Sequence, residues 1–180
     1  MKSLVNSLGE GRWGLDRAQG TAVRISEDKS AVKALVSAMF GDDPELRKRA
    51  ADVARRIAER DAAPLERFAD ELAGLLAEVS VEESRTRWHL GLVVAKVAHT
   101  REQRLRAARL MELLMEDESN VARCSAVEGI ALLACQEGSL REVAEEMIER
   151  ALREGTLAMK CRAREGKRRL EKASRMGGRA

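Results

Sequence analysis

The sequence predicts an all-α chain, a solenoid of about four helix pairs laid side by side, and three observations lead there. Two Pro and no Tyr in 180 residues argue against a strand-rich sandwich. A hydrophobic share of 44% is ample for a core, yet no stretch approaches the roughly 18 uninterrupted apolar residues of a membrane span. The third observation is a repeat. Arg47-Lys48-Arg49-Ala50 lines up with Arg85-Thr86-Arg87-Trp88, with Arg123-Cys124-Ser125-Ala126 and with Lys160-Cys161-Arg162-Ala163, at offsets of 38, 38 and 37 residues.

Each copy of this frame reads as a helix, because the residues 3, 6, 7 and 10 places after its first, Ala50, Val53, Ala54 and Ile57 in the first copy, are small or aliphatic in most copies and share one helical stripe. A second amphipathic segment precedes each copy: Ala31 to Phe40, then Leu65 to Leu76, Leu105 to Leu114 and Leu140 to Leu152. The unit is therefore a helix pair. Turns fall at Gly41 to Pro44, Asp61 to Pro64, Asp117 to Asn120 and Glu137 to Ser139, with Pro44 and Pro64 suited to first-turn positions. The expected organisation is an irregular N-terminal cap over 1–27, repeats at 28–60, 61–98, 99–135 and 136–174, and a flexible tail at 175–180.

Within the cap, Leu4, Val5 and Leu8 fit a short helix over the first repeat, and Ala22 to Ile25 is expected to run extended because Gly9, Gly11, Gly14 and Gly20 interrupt longer helices. Glycine at 91, 129 and 166 costs roughly 1 kcal/mol per position inside a helix, so each is expected where a neighbouring helix comes close. Trp88 replaces the Ala that the other copies carry and is expected to fill core and widen the stack.

The Asp43-Pro44-Glu45-Leu46-Arg47 run, with Ala50 following, resembles the second-helix signature of HEAT-repeat proteins, and Asp117 with Val121, Arg123 and Ala126 resembles it with one extra residue. The resemblance covers residues 28 to 174. It implies a right-handed α-α superhelix, and an Asp–Arg ladder in which Asp42 or Asp43, Asp117 and Glu154 pair with Arg47, Arg123 and Lys160. Copy two breaks that pattern, with Val79 or Val81 where an acid is expected ahead of Arg85 and Glu82 and Glu83 nearby. HEAT-like arrays serve as scaffolds, adaptors and nucleic-acid binders, so the resemblance is nearly silent on function.

No catalytic constellation is evident, and no Gly-rich phosphate loop, nucleophile elbow or metal-ligand spacing occurs, so no cofactor or metal is expected. Cys124, Cys135 and Cys161 make neither a CxxC pair nor an even disulfide set, and the opening residues lack the apolar run of a secretory signal; a reducing cytoplasm is the expected compartment.

Charge carries the functional expectation. The net charge is only +3, but the second helices hold 17 Lys and Arg against 7 Asp and Glu, whereas the first helices hold 10 against 13. Second helices line the inner curve of a solenoid, so a basic concave groove is expected, with Arg47, Arg85, His89, Arg123, Lys160 and Arg164 as its binding residues. The expected function is a non-enzymatic scaffold or adaptor holding a protein partner, with the charge of the groove pointing to an acidic one. The alternative is non-specific nucleic-acid binding, or a DNA-repair protein similar to the HEAT-like alkylpurine DNA glycosylases; against that enzyme, few aromatics stand ready to stack beside a carboxylate.

Overall fold

In the computed structural model, which describes residues 8, 9 and 11–177, ten α-helices follow one another and no strand occurs among the described residues. They are α1 (Leu15–Ser26), α2 (Lys29–Met39), α3 (Pro44–Arg60), α4 (Ala63–Glu66), α5 (Ala69–Glu78), α6 (Ser84–Val97), α7 (Arg101–Met115), α8 (Asn120–Gln136), α9 (Arg141–Glu154) and α10 (Leu157–Gly177).

Local chemistry sets the boundaries. Asp28 caps α2 by accepting the Ser30 and Ala31 amides, Asp43 caps α3 by accepting those of Glu45 and Leu46, and Thr100 and Gln103 close a reciprocal box at the start of α7. The expected helix over Leu65 to Leu76 is split. The Leu65 and Phe68 amides reach back only three residues, to Ala62 and Leu65, which tightens the chain and brings both Leu65 and Phe68 into the core.

The second helices form a continuous layer, α3 against α6, α6 against α8 and α8 against α10, while the first helices meet one another far less. Two layers spaced unequally bend toward the closer one, which puts the second helices on the inner side of a solenoid-like stack. Its core is a single cluster of mostly Ala, Val, Leu and Ile running from Leu8 to Leu170.

The N-terminal segment departs from expectation. Ala22 to Ile25 is helical, and α1 continues through Gly20, because Ala18, Thr21, Ala22 and Ile25 share one stripe that is buried in the stack, where α1 packs on α2 and α3. That burial outweighs the roughly 1 kcal/mol of glycine's helix penalty. Gly11, at φ +62°, turns the chain so that Leu8 is buried and Trp13 reaches α3, and Arg49 fastens the turn by donating to the Leu8 and Gly11 carbonyl oxygens. The short helix expected at Leu4 and Val5 lies outside the described residues.

The glycines sit at close helix crossings, as expected, but not equivalently. A Cβ on Gly129 would overlap Met111 of its own pair and come within 3.2 Å of Ala95 on the preceding second helix, and one on Gly166 would meet Ile148 and Ala131 in the same sense. Gly91 faces the opposite way, toward Ser125 and Leu114 of the following pair. Gly91 and Gly129 therefore belong to different structural positions.

Candidate functional site

The start of each second helix shows the true register. The residue before α3, α6, α8 and α10 is Asp43, Glu83, Ser119 and Thr156, and its carbonyl accepts the amide of a basic residue four positions on, Arg47, Arg87, Arg123 and Lys160. These starts are 40, 36 and 37 residues apart. Arg87 rather than Arg85 is thus the counterpart of Arg47. The parallel extends to contacts: Arg47 donates to the Met39 and Gly41 carbonyls, and Arg87 to the Val79 carbonyl, so each arginine reaches back to its own pair's turn.

The same two arginines also reach forward. Arg47 pairs with Glu83 at the start of α6, and Arg87 Nε donates to Asp117 Oδ2 at 2.7 Å ahead of α8. Asp117 has only 1% of its side chain exposed, and its other oxygen accepts the Ser119 amide at 2.7 Å. The expected ladder is corrected accordingly: Asp117 holds Arg87 rather than Arg123, and Arg47 takes Glu83. At the third junction the series stops, because Arg123 turns to Asn120 on its own helix and its Nε is buried without a hydrogen bond.

The other expected groove residues divide as follows. Arg85 and Arg164 are exposed and Lys160 is half-buried, and none of the three makes an ion pair among the described residues. His89 is buried and belongs to a polar cluster on the inner face that sequence reasoning did not assemble. Asp52, only 8% exposed, anchors it: Oδ2 accepts the Trp13 indole N–H at 3.2 Å, and Oδ1 accepts Arg55 Nη2 at 3.1 Å and Arg56 Nε at 3.0 Å. Arg55 Nε donates to His89 Nδ1 at 3.1 Å, its guanidinium lies 5.6 Å from the centre of the Trp88 ring, and His89 stacks on Trp88 at 4.4 Å. Trp88 is therefore a half-buried plate on the inner surface rather than core filler. No distinct signal in the sequence marks this cluster, because the equivalent positions of α8 and α10 also carry acids, the half-buried Glu128 and Glu165, and only Asp52 is buried.

An arginine does not give up its proton, so His89 Nδ1 must be an acceptor and the ring is neutral with its hydrogen on Nε2. Burial first, and then Arg55, Arg56 and Arg85, hold its pKa at about 4 against the pull of Asp52. Burial opposes ionisation of Asp52 as well, but His89, the Trp13 N–H and the Arg56 and Arg55 guanidiniums outweigh it and keep that carboxyl below its ordinary value. The unfolded chain protonates His89 near 6.5 and the folded chain only near 4, so stability is full above about pH 6.5 and falls as pH drops toward 4. Wild type should lose about 2 kcal/mol more than His89→Gln between pH 7.5 and 4.5 in urea titrations. Equal losses would refute the neutral-histidine assignment.

Asp52 already accepts three donors, which leaves its carboxylate committed to structure. Cys124 and Cys161 occupy matching positions on α8 and α10 as free thiols, and burial pushes the Cys124 thiol up. Among the described residues no group of three or more His, Cys, Asp or Glu stands together as a metal site, and no helix is long and apolar enough to cross a membrane. Comparison with protein-family models, with curated proteins and with solved structures finds no match for this chain.

Proposed function

We propose that the chain is a non-enzymatic binding module, HEAT-like in construction, that holds an acidic segment of a partner protein along its inner face in a reducing cytoplasm. The observation that carries this reading is the stripe on α6. Arg85, Trp88 and Lys96 fall on one side of that helix, and both cations lack ion-pair partners among the described residues while the ring between them is fixed by Arg55 and His89. A rigid aromatic plate flanked by free cations recognises a carboxylate-bearing chain with little ordering cost.

Several other inner-face cations are spent within the structure, Arg55 and Arg56 on Asp52 and Arg162 on Glu128 at 3.3 Å, whereas Lys160 and Arg164 at the far end stay unpaired among the described residues. The groove therefore selects by the placement of a few free charges rather than by a broad positive field. Retention of partner proteins from a lysate by the immobilised wild-type chain, compared with Arg85→Glu/Lys96→Glu, checks this. Proteins held by wild type and at least tenfold depleted on the variant are the expected result. An identical retained set on both would overturn the reading.

A further inference from the structure

The unpaired positive charge is concentrated on the terminal helix. Met159, Ala163, Gly166 and Leu170 form the buried stripe of α10, which packs on α8 and α9. Opposite that stripe lie Lys160, Arg164, Arg168, Lys172 and Arg175, within an arc of about 120° on a helix with 100° per residue. The last four are exposed and Lys160 is half-buried. Among the described residues none of the five makes a hydrogen bond or an ion pair with a side chain, in contrast to Arg162, Lys167 and Arg169, which are held by Glu128, Glu149 and Glu165. The α10 cations that flank the helix's packed face are neutralised, and those on its free flank are not.

We propose that this flank is a docking surface for the sugar-phosphate backbone of a nucleic-acid duplex. The five cations extend over about 22 Å of helix, a rod-like row that matches a linear polyanion better than a compact ligand. One acid, Glu171, stands in the row, leaving it strongly positive. Leu157, at the start of the helix, is the single large apolar side chain on this flank among the described residues, too little for the insertion that an interfacial membrane helix needs. Such a surface makes phosphate contacts without reading bases, so binding is indifferent to sequence and steeply dependent on salt. It is separate from the α6 stripe, and either surface can fail without the other.

The test is fluorescence anisotropy of a labelled 20-base-pair duplex titrated with the full chain at several salt concentrations. Four to five phosphate contacts predict a slope of log affinity on log salt near −4, and an affinity that falls by about 250-fold between 50 and 200 mM salt. In Arg164→Gln/Arg168→Gln/Lys172→Gln/Arg175→Gln, which alters only exposed unpaired residues, affinity at 50 mM salt should fall at least 100-fold with the helical circular dichroism unchanged. Arg85→Glu/Lys96→Glu should retain binding within about threefold if the flank alone carries it. No binding at 50 mM salt, undiminished binding by the quadruple variant, or tighter binding to polyglutamate or to anionic vesicles than to the duplex would overturn the proposal.

Discussion

Gly129→Val should destabilise the chain by about 3 kcal/mol and shift its urea midpoint strongly downward. The substitution places side-chain atoms where α7 and α6 close on α8, against Met111, which is fully buried, and against Ala95. Met111 can yield only by changing rotamer inside a filled core and Ala95 only by moving a helix, and overpacked crossings of this kind typically cost 1–3 kcal/mol even before β-branching is counted. Helix propensity works in the opposite direction, since glycine is about 1 kcal/mol worse than alanine in an exposed helix. Gly74 provides the contrast. Nothing lies within 4 Å of a Cβ built there, on the exposed side of α5, so Gly74→Ala should stabilise by about 0.5–1 kcal/mol. Opposite signs in parallel urea titrations are the expected outcome; a neutral Gly129→Val would show that the α7–α8 crossing is loose.

Asp117→Ala should cost about 3 kcal/mol or more, because two losses combine. Arg87, with 12% of its side chain exposed, loses the carboxylate that neutralises it, and the start of α8 loses the acceptor of the Ser119 amide. The pair Arg106–Asp70, with 57% and 60% exposure, offers the comparison, and Asp70→Ala should cost no more than about 0.5 kcal/mol. A double-mutant cycle between Asp117→Ala and Arg87→Met measures the coupling directly, with about 1.5 kcal/mol or more expected. Coupling below about 0.5 kcal/mol would mean that the forward reach of Arg87 contributes nothing to the junction.

The helix pairs were legible because apolar periodicity and cap residues are local signals, and the boundaries at Asp43, Thr100 and Glu154 agree with them within a few residues. The register of the second copy was not. Arg85-Thr86-Arg87 offers two arginines that can be laid on Arg47, and choosing the first also aligned Gly91 with Gly129, which made the wrong match self-consistent. What separates them is the distance from the cap: four residues in every second helix, a spacing set by the amide-to-carbonyl bond of the first turn. The inner-face cluster was hidden for a different reason. Trp13, Asp52, Arg55 and His89 come from three stretches of chain, and only the lateral packing of α3 and α6, with the turn at Gly11, brings them together. Helix α1 was missed because its glycine content outweighed, on sequence alone, a buried stripe whose partner helices lie further along the chain.

The forward-reaching arginines bind the first pair to the second and the second to the third, and Arg123 leaves the last pair without such a clasp. Cooperativity is therefore uneven along the stack. The junctions of the leading three pairs are closed by poorly exposed ion pairs, whereas the last junction relies on the apolar packing of α10 on α8 and on the more exposed Arg162–Glu128 and Arg150–Glu116 pairs, so opening is expected to begin at α9 and α10. Fraying that starts from this end moves the row of cations with it, so the terminal rod meets a ligand with more latitude than the helices held at both junctions.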